Sequence, residues 1–165
     1  MKTGKTVKVL LTAATAAGML AGCGSKTDTD TFRFASELDI QGMDSTVVDD
    51  GMSFNAVHAI TDGLTAVNEK GKTAPAIAKS WDVSDDGKTY TFHLRDAKWS
   101  NGDKVTANDF VYSWRKIIKN AGNYAYMLGS EGASVKNADA LMELGTNATD
   151  EQMATLGVTA KDDKT

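Results

Sequence analysis

The chain has one cysteine, one proline and two histidines in 165 residues, and aromatic side chains make up only 7% of it. A lone cysteine, Cys23, excludes any disulfide within the chain, whatever the compartment. With no second Cys beside them, His58 and His93 cannot build a Cys/His zinc cluster. Neither sign of charge dominates: 18 basic against 22 acidic residues leave a net charge of −4 and a pI near 5.1. Lys and Arg are scattered among acids after residue 25, so the basic footprint of a nucleic-acid binder is missing. The one long apolar run, residues 9–20, is too short for a bilayer core of ~30 Å. There is no Gly-rich phosphate loop and no strand-turn-Ser motif, and paired catalytic groups are lacking. These absences argue against an enzyme and imply no cofactor and no bound metal.

What is present begins with the first 22 residues. Lys2, Lys5 and Lys8 precede an apolar stretch rich in Ala, Leu and Val, which ends in small residues, Leu20-Ala21-Gly22, before Cys23. That order is the secretory-signal pattern, and the alternative is an amphipathic or buried N-terminal helix. Leu-Ala-Gly-Cys resembles the bacterial lipobox, which implies that residues 1–22 are removed and Cys23 is acylated as a membrane anchor. Residues 23–31 are small and polar, the composition of a flexible tether.

Residues 31–35, TFRFA, alternate as a half-buried strand does, and the acidic residues 36–51 read as a loop. Ser53 is placed to cap a helix with Phe54, Val57 and Ile60 on its apolar face and Gly63 as its stop. LTAV is a short strand before the turn NEKGK. Residues 79–94 predict a hairpin, two strands about an Asp-Gly turn, with Tyr90, Phe92 and Leu94 on one face. Asn101-Gly102 marks a second tight turn. Thr106 and Asp109 form a capping box ahead of a helix with Phe110, Val111, Trp114, Ile117 and Ile118 on one face. Residues 138–144 read as helical, and so do 150–156 behind a Thr149 cap. GVTAKDDKT is a charged turn where another strand is expected.

Asp82, Ser84, Asp86 and Gly87 fit part of a calcium loop, but its twelfth position is His93 where a Glu is needed, so a hairpin is expected instead. Trp81, Trp99 and Trp114 are expected in the core. Tyr124 and Tyr126 lie in a Gly-flanked, irregular segment, the setting of aromatics exposed at a binding cleft.

The stretch AIAKSWDVSDDGKTYTFHLRDAKWSNGDKVTANDFVYSWRKI resembles the signature of family 5 solute-binding proteins of ABC importers. Ala78, Trp81, Asp86-Gly87, Tyr90-Thr91-Phe92, Leu94-Arg95, Trp99, Gly102 and Val105-Thr106-Ala107 carry the likeness, with Asp109-Phe110 and Tyr112-Ser113-Trp114. NYAYML and LGVTAKDDKT are similar to its oligopeptide-binding members. The resemblance implies a mixed α/β fold, part of the first lobe of a two-lobed, periplasmic-binding-protein-like class II clamp. Residues 32–63 would start one subdomain, residues 64–165 would be an inserted one, and the second lobe would be absent, as in an N-terminal fragment. It also implies a ligand-contacting edge at Asp49, Asp50, Gly51 and Met52, with further contacts from Tyr124 and Tyr126. Met43-Asp44-Ser45 departs from the family's Leu-Asp-Pro, and an insertion around Ile40 leaves this register open by a residue or two.

The implied function is a monomeric, lipid-anchored receptor on the outer face of the bacterial cell membrane. It would capture oligopeptides, peptide pheromones included, and hand them to ABC permease subunits. Nickel complexes and heme are the family's other ligands. A non-transport surface lipoprotein or an inert truncation product is the reading from another class.

Overall fold

A computed structural model describes residues 35–165, of which Ser36–Thr165 cluster as one unit. The strand expected at residues 31–35, the signal segment and Cys23 lie outside the described residues. Residues 36–50 form a loop with one turn, in which Val47 N and Val48 N both donate to the Asp44 carbonyl (3.1 Å each). This loop runs into helix α1, Gly51–Ile60.

The cap of α1 is not Ser53. Asp50 is the N-cap, in extended conformation, and its Oδ1 accepts from Ser53 N at 2.8 Å. Ser53 is fully buried in the first turn, and its Oγ accepts from the backbone N–H groups of Gln41 (2.9 Å) and Gly42 (3.2 Å). Asp and Ser are comparable caps, so propensity alone could not choose between Asp50 and Ser53. The loop's unpaired N–H groups decided it, because they needed a buried acceptor. Nor does Gly63 stop the helix. Thr61 is already extended, and Ile60, expected on the apolar face, is 71% exposed.

Two short antiparallel hairpins follow. Strand β1, Thr65–Val67, pairs with β2, Thr73–Pro75, a strand that the sequence pattern does not announce. Proline cannot donate to a ladder, and at the end of a two-stranded ribbon it need not. Strand β3, Ala78–Val83, pairs with β4, Tyr90–Leu94, with Trp81 opposite Phe92 and a register shift between Ala78 and Ser80. Gly87, at φ +69°, supplies the left-handed turn position that the Asp-Gly pair predicts. The expected face of β4 is graded rather than uniformly buried: Leu94 is in the core, Phe92 half-buried, and Tyr90 exposed at the hairpin tip, stacked on Phe92.

Helix α2, Ala107–Lys119, starts at the expected capping box, with Thr106 N donating to Asp109 Oδ2 at 2.7 Å. A 3-10 turn, Ala125–Leu128, and helices α3, Ala138–Leu144, and α4, Asp150–Met153, complete the chain. Helix α4 is shorter than expected, although Thr149 does cap it and Leu156 beyond it is buried to 1% exposure. The final residues form no strand, yet they pair: Leu94 N donates to the Lys164 carbonyl (2.8 Å) and Ala107 N to that of Asp163 (2.9 Å).

Two apolar clusters hold these elements. Ile77, Ala78, Leu94, Val105 and Ala107 join the β3–β4 hairpin to the start of α2. Ile118, Ala125, Ala138, Leu141, Met153 and Leu156 join the end of α2 to the later helices. Trp114 packs on the second cluster as expected, and Trp81 is half-buried beside Phe92. Trp99 is 46% exposed, which corrects its expected place in the core. It sits in the short Lys98–Lys104 turn, which is held by Trp99 N to Asp103 O and is exposed along its length.

Candidate functional site

The loop before α1 and the segment after α2 converge on one surface. What brings the second segment there is the end of α2. Ala121 N donates to the Ile118 carbonyl and Gly122 N to that of Ile117, a Schellman closure with Ala121 in left-handed conformation, φ +45°. The chain thereby turns back, and Gly122 is pressed against the Thr46 carbonyl of the loop so closely that a Cβ there would overlap it. Asn123 Nδ2 then donates to Asp49 Oδ2 at 2.8 Å. The Tyr124 ring meets Phe54 of α1 edge-on, centroids 4.9 Å apart at 89°, a favourable aromatic geometry. Tyr126 lies 6.3 Å from Tyr124.

Of the residues singled out from sequence, Asp49, Tyr124 and Tyr126 are thus brought to one face, all exposed. Asp50 lies beside them but is committed to capping α1. The Ser53 hydroxyl and the Ser53 N–H hold its carboxyl below the usual carboxylate range. Asp50 Oδ2 is buried and has no hydrogen-bond partner among the described residues. Gly51 and Met52 open α1, one exposed and one half-buried, and neither lines the depression next to Tyr124.

That depression has a volume of about 300 Å³. Trp114 and Ile117 of α2 and Met127 and Leu128 of the 3-10 turn form its apolar walls, with Tyr124 at one side. Ser45 and Thr46 of the loop close the other side. Next in the chain to lining residues Ser45 and Ile117, Asp44 and Lys116 pair, with Lys116 Nζ at 2.5 Å from Asp44 Oδ2, and Thr46 donates to Asp44 Oδ1 from both its hydroxyl (2.7 Å) and its N–H (3.0 Å). Lys116 first, and then Thr46, lower the Asp44 pKa to about 2, and the hydrogen bond to Asp44 in turn raises that of Lys116. Among the described residues no group of three or more His, Cys, Asp or Glu could hold a metal ion. No described helix is long and apolar enough to cross a membrane.

Sequence reasoning missed Asn123, Phe54 and the Asp44–Lys116 pair. All three act between segments 70 or so residues apart, and no local pattern reports such a pairing. Phe54 was visible only as one member of a helix face.

Hydrogen-bonding and aromatic groups of two segments are thus held together at one exposed surface. The chain belongs to the bacterial extracellular solute-binding proteins of family 5. The model of that family's middle region matches residues 72–165. These are transport binding proteins, not enzymes. The dipeptide-binding protein of Lactococcus lactis is 41% identical over 155 residues, covering 90% of this chain and 28% of that protein. The periplasmic oligopeptide-binding protein OppA of Haemophilus influenzae is 41% identical over 67% of this chain and 20% of its own length. Among solved structures, the substrate-binding domain of an oligopeptide ABC transporter from Bacillus anthracis superposes with a TM-score of 0.69 at 36% identity. It covers 79% of this chain and 24% of that one. The chain therefore spans about a quarter of the length of these relatives and carries that share of their mixed α/β fold.

Proposed function

We propose that this chain contributes one wall of the peptide site in the substrate-binding component of an ABC importer. It would capture oligopeptides, peptide pheromones among them, and deliver them to the permease. The carrying observation is the convergence of Asp49 and Tyr124 on one exposed face, fixed by Asn123 and Phe54. The relatives named for dipeptide and oligopeptide binding support the ligand class. An extended peptide laid along this edge takes main-chain hydrogen bonds in the manner of an added strand. Asp49, Asp50, Gly51 and Met52 supply acid and backbone groups, and Tyr124 and Tyr126 supply aromatic surface. Residues 32–63 and 64–165 are read as parts of two subdomains. The protein acts as a monomer and is held to the outer face of the membrane by acyl chains on Cys23.

One wall buries little of a peptide, so association by these 165 residues alone is weak, with a dissociation constant on the order of 1 mM. Calorimetric titration with a pool of tetra- to hexapeptides tests this. Tyr124→Ala is expected to weaken the binding at least several-fold, and an unchanged isotherm would remove Tyr124 from the site. Micromolar binding would contradict the picture of a single wall.

A further inference from the structure

We propose that the depression beside Tyr124 is a subsite for one uncharged, apolar side chain of a bound peptide, the size of Phe or Leu. This rests on the peptide-binding reading and sharpens it from a ligand class to a side-chain preference.

The lining chemistry makes the choice. Trp114, Ile117, Met127 and Leu128 present carbon, while the polar members are the hydroxyls of Ser45, Thr46 and Ser113. The Thr46 hydroxyl is already spent on Asp44. No charged side chain lines the space. Asp44 and Lys116, next in the chain to Ser45 and Ile117, are paired with each other at 2.5 Å and offer an incoming ion no free counter-charge. A ligand ammonium or carboxylate entering here would lose water without gaining a partner, which is strongly unfavourable. An apolar side chain exchanges water for the indole, the tyrosine ring and aliphatic walls. At about 300 Å³ the depression is at the small end of ligand pockets, suited to one large side chain. Met127, 54% exposed, is unbranched and polarisable, so it can fold over branched or aromatic occupants.

The test is NMR titration of the chain, with 13C-methyl methionine and the indole N–H groups observed. The probes are the tripeptides Ala-Phe-Ala, Ala-Leu-Ala, Ala-Lys-Ala, Ala-Glu-Ala and Ala-Ala-Ala. The Phe and Leu peptides are expected to shift the Met127 methyl and Trp114 indole signals and to bind about tenfold more tightly than the Lys and Glu peptides. Ser113→Leu, which fills the space, is expected to reduce that preference to less than about twofold. Should that variant not fold, Met127→Lys at the exposed rim takes its place, expected to weaken Ala-Phe-Ala and to favour Ala-Glu-Ala. Equal binding of all five, or binding whose shifts map away from Met127 and Trp114, overturns the subsite and leaves the peptide reading standing. If neither the tripeptides nor the longer pool binds, the peptide reading fails and the subsite falls with it.

Discussion

Asp44 takes hydrogen bonds from both directions along the chain, from Thr46 two residues on and from Lys116, 72 residues away on α2. It fastens the loop to that helix with a group whose charge can be switched off. Its folded pKa is lowered to about 2, whereas an unfolded Asp titrates at about 3.9. A depressed pKa contributes stability that is fully present above the unfolded value and is lost as pH falls through the folded one. The contribution of Asp44 should therefore hold above about pH 4 and disappear by about pH 2. The Lys116 and Asp44 side chains are 32% and 41% exposed, so the effect is modest and shrinks in high salt. Urea midpoints measured from pH 5 to pH 2 should fall less steeply for Asp44→Asn than for the parent. Parallel curves would mean that the pair does not stabilise the fold.

At the scale of elements, the end of α2 decides where Tyr124 goes, and two adjacent residues play opposite parts in it. Ala121 occupies the left-handed position of the closure, where a Cβ costs roughly 1–2 kcal/mol and glycine is preferred. Part of that gain is offset by the greater freedom of glycine in the unfolded chain. Ala121→Gly should thus stabilise the protein by about 0.5–1 kcal/mol, seen as a Tm higher by about 1–4 °C. Gly122 has the reverse requirement, since a methyl group there would overlap the Thr46 carbonyl. Gly122→Ala should destabilise by about 1–3 kcal/mol and disturb the Asn123–Asp49 contact. A stabilising Gly122→Ala would show that the loop and the turn are not pressed together as described.

For the whole molecule the question is where it resides. The lipobox-like Leu-Ala-Gly-Cys supports acylation of Cys23. One acyl chain gives only marginal attachment and two give a stable one, so a di- or triacylated Cys23 would keep the protein with the membrane through salt washing. Labelling with radioactive palmitate should mark the parent and spare Cys23→Ala, which should appear in the soluble fraction. Continued labelling of that variant would refute the anchor.

Much of the fold was legible in order along the chain because its signals are local. The Asp-Gly turn, the Thr106–Asp109 capping box and the 3.6-residue spacing of Phe110, Val111, Trp114, Ile117 and Ile118 each depend on neighbours within one turn of chain. The family, too, was readable from residues 78–114, and Tyr124 was singled out by its irregular, glycine-flanked setting. Tertiary structure alone decided that Asp50 rather than Ser53 caps α1, that Trp99 faces water, and that Asp49 meets Asn123. For two of these the deciding partner is distant in sequence, the Gln41 and Gly42 N–H groups for Ser53 and the turned-back end of α2 for Asp49, whereas Trp99 is exposed with the local Lys98–Lys104 turn that carries it. Hydrogen bonds and packing that close over tens of residues leave no periodicity in the sequence, so only the folded chain could place them.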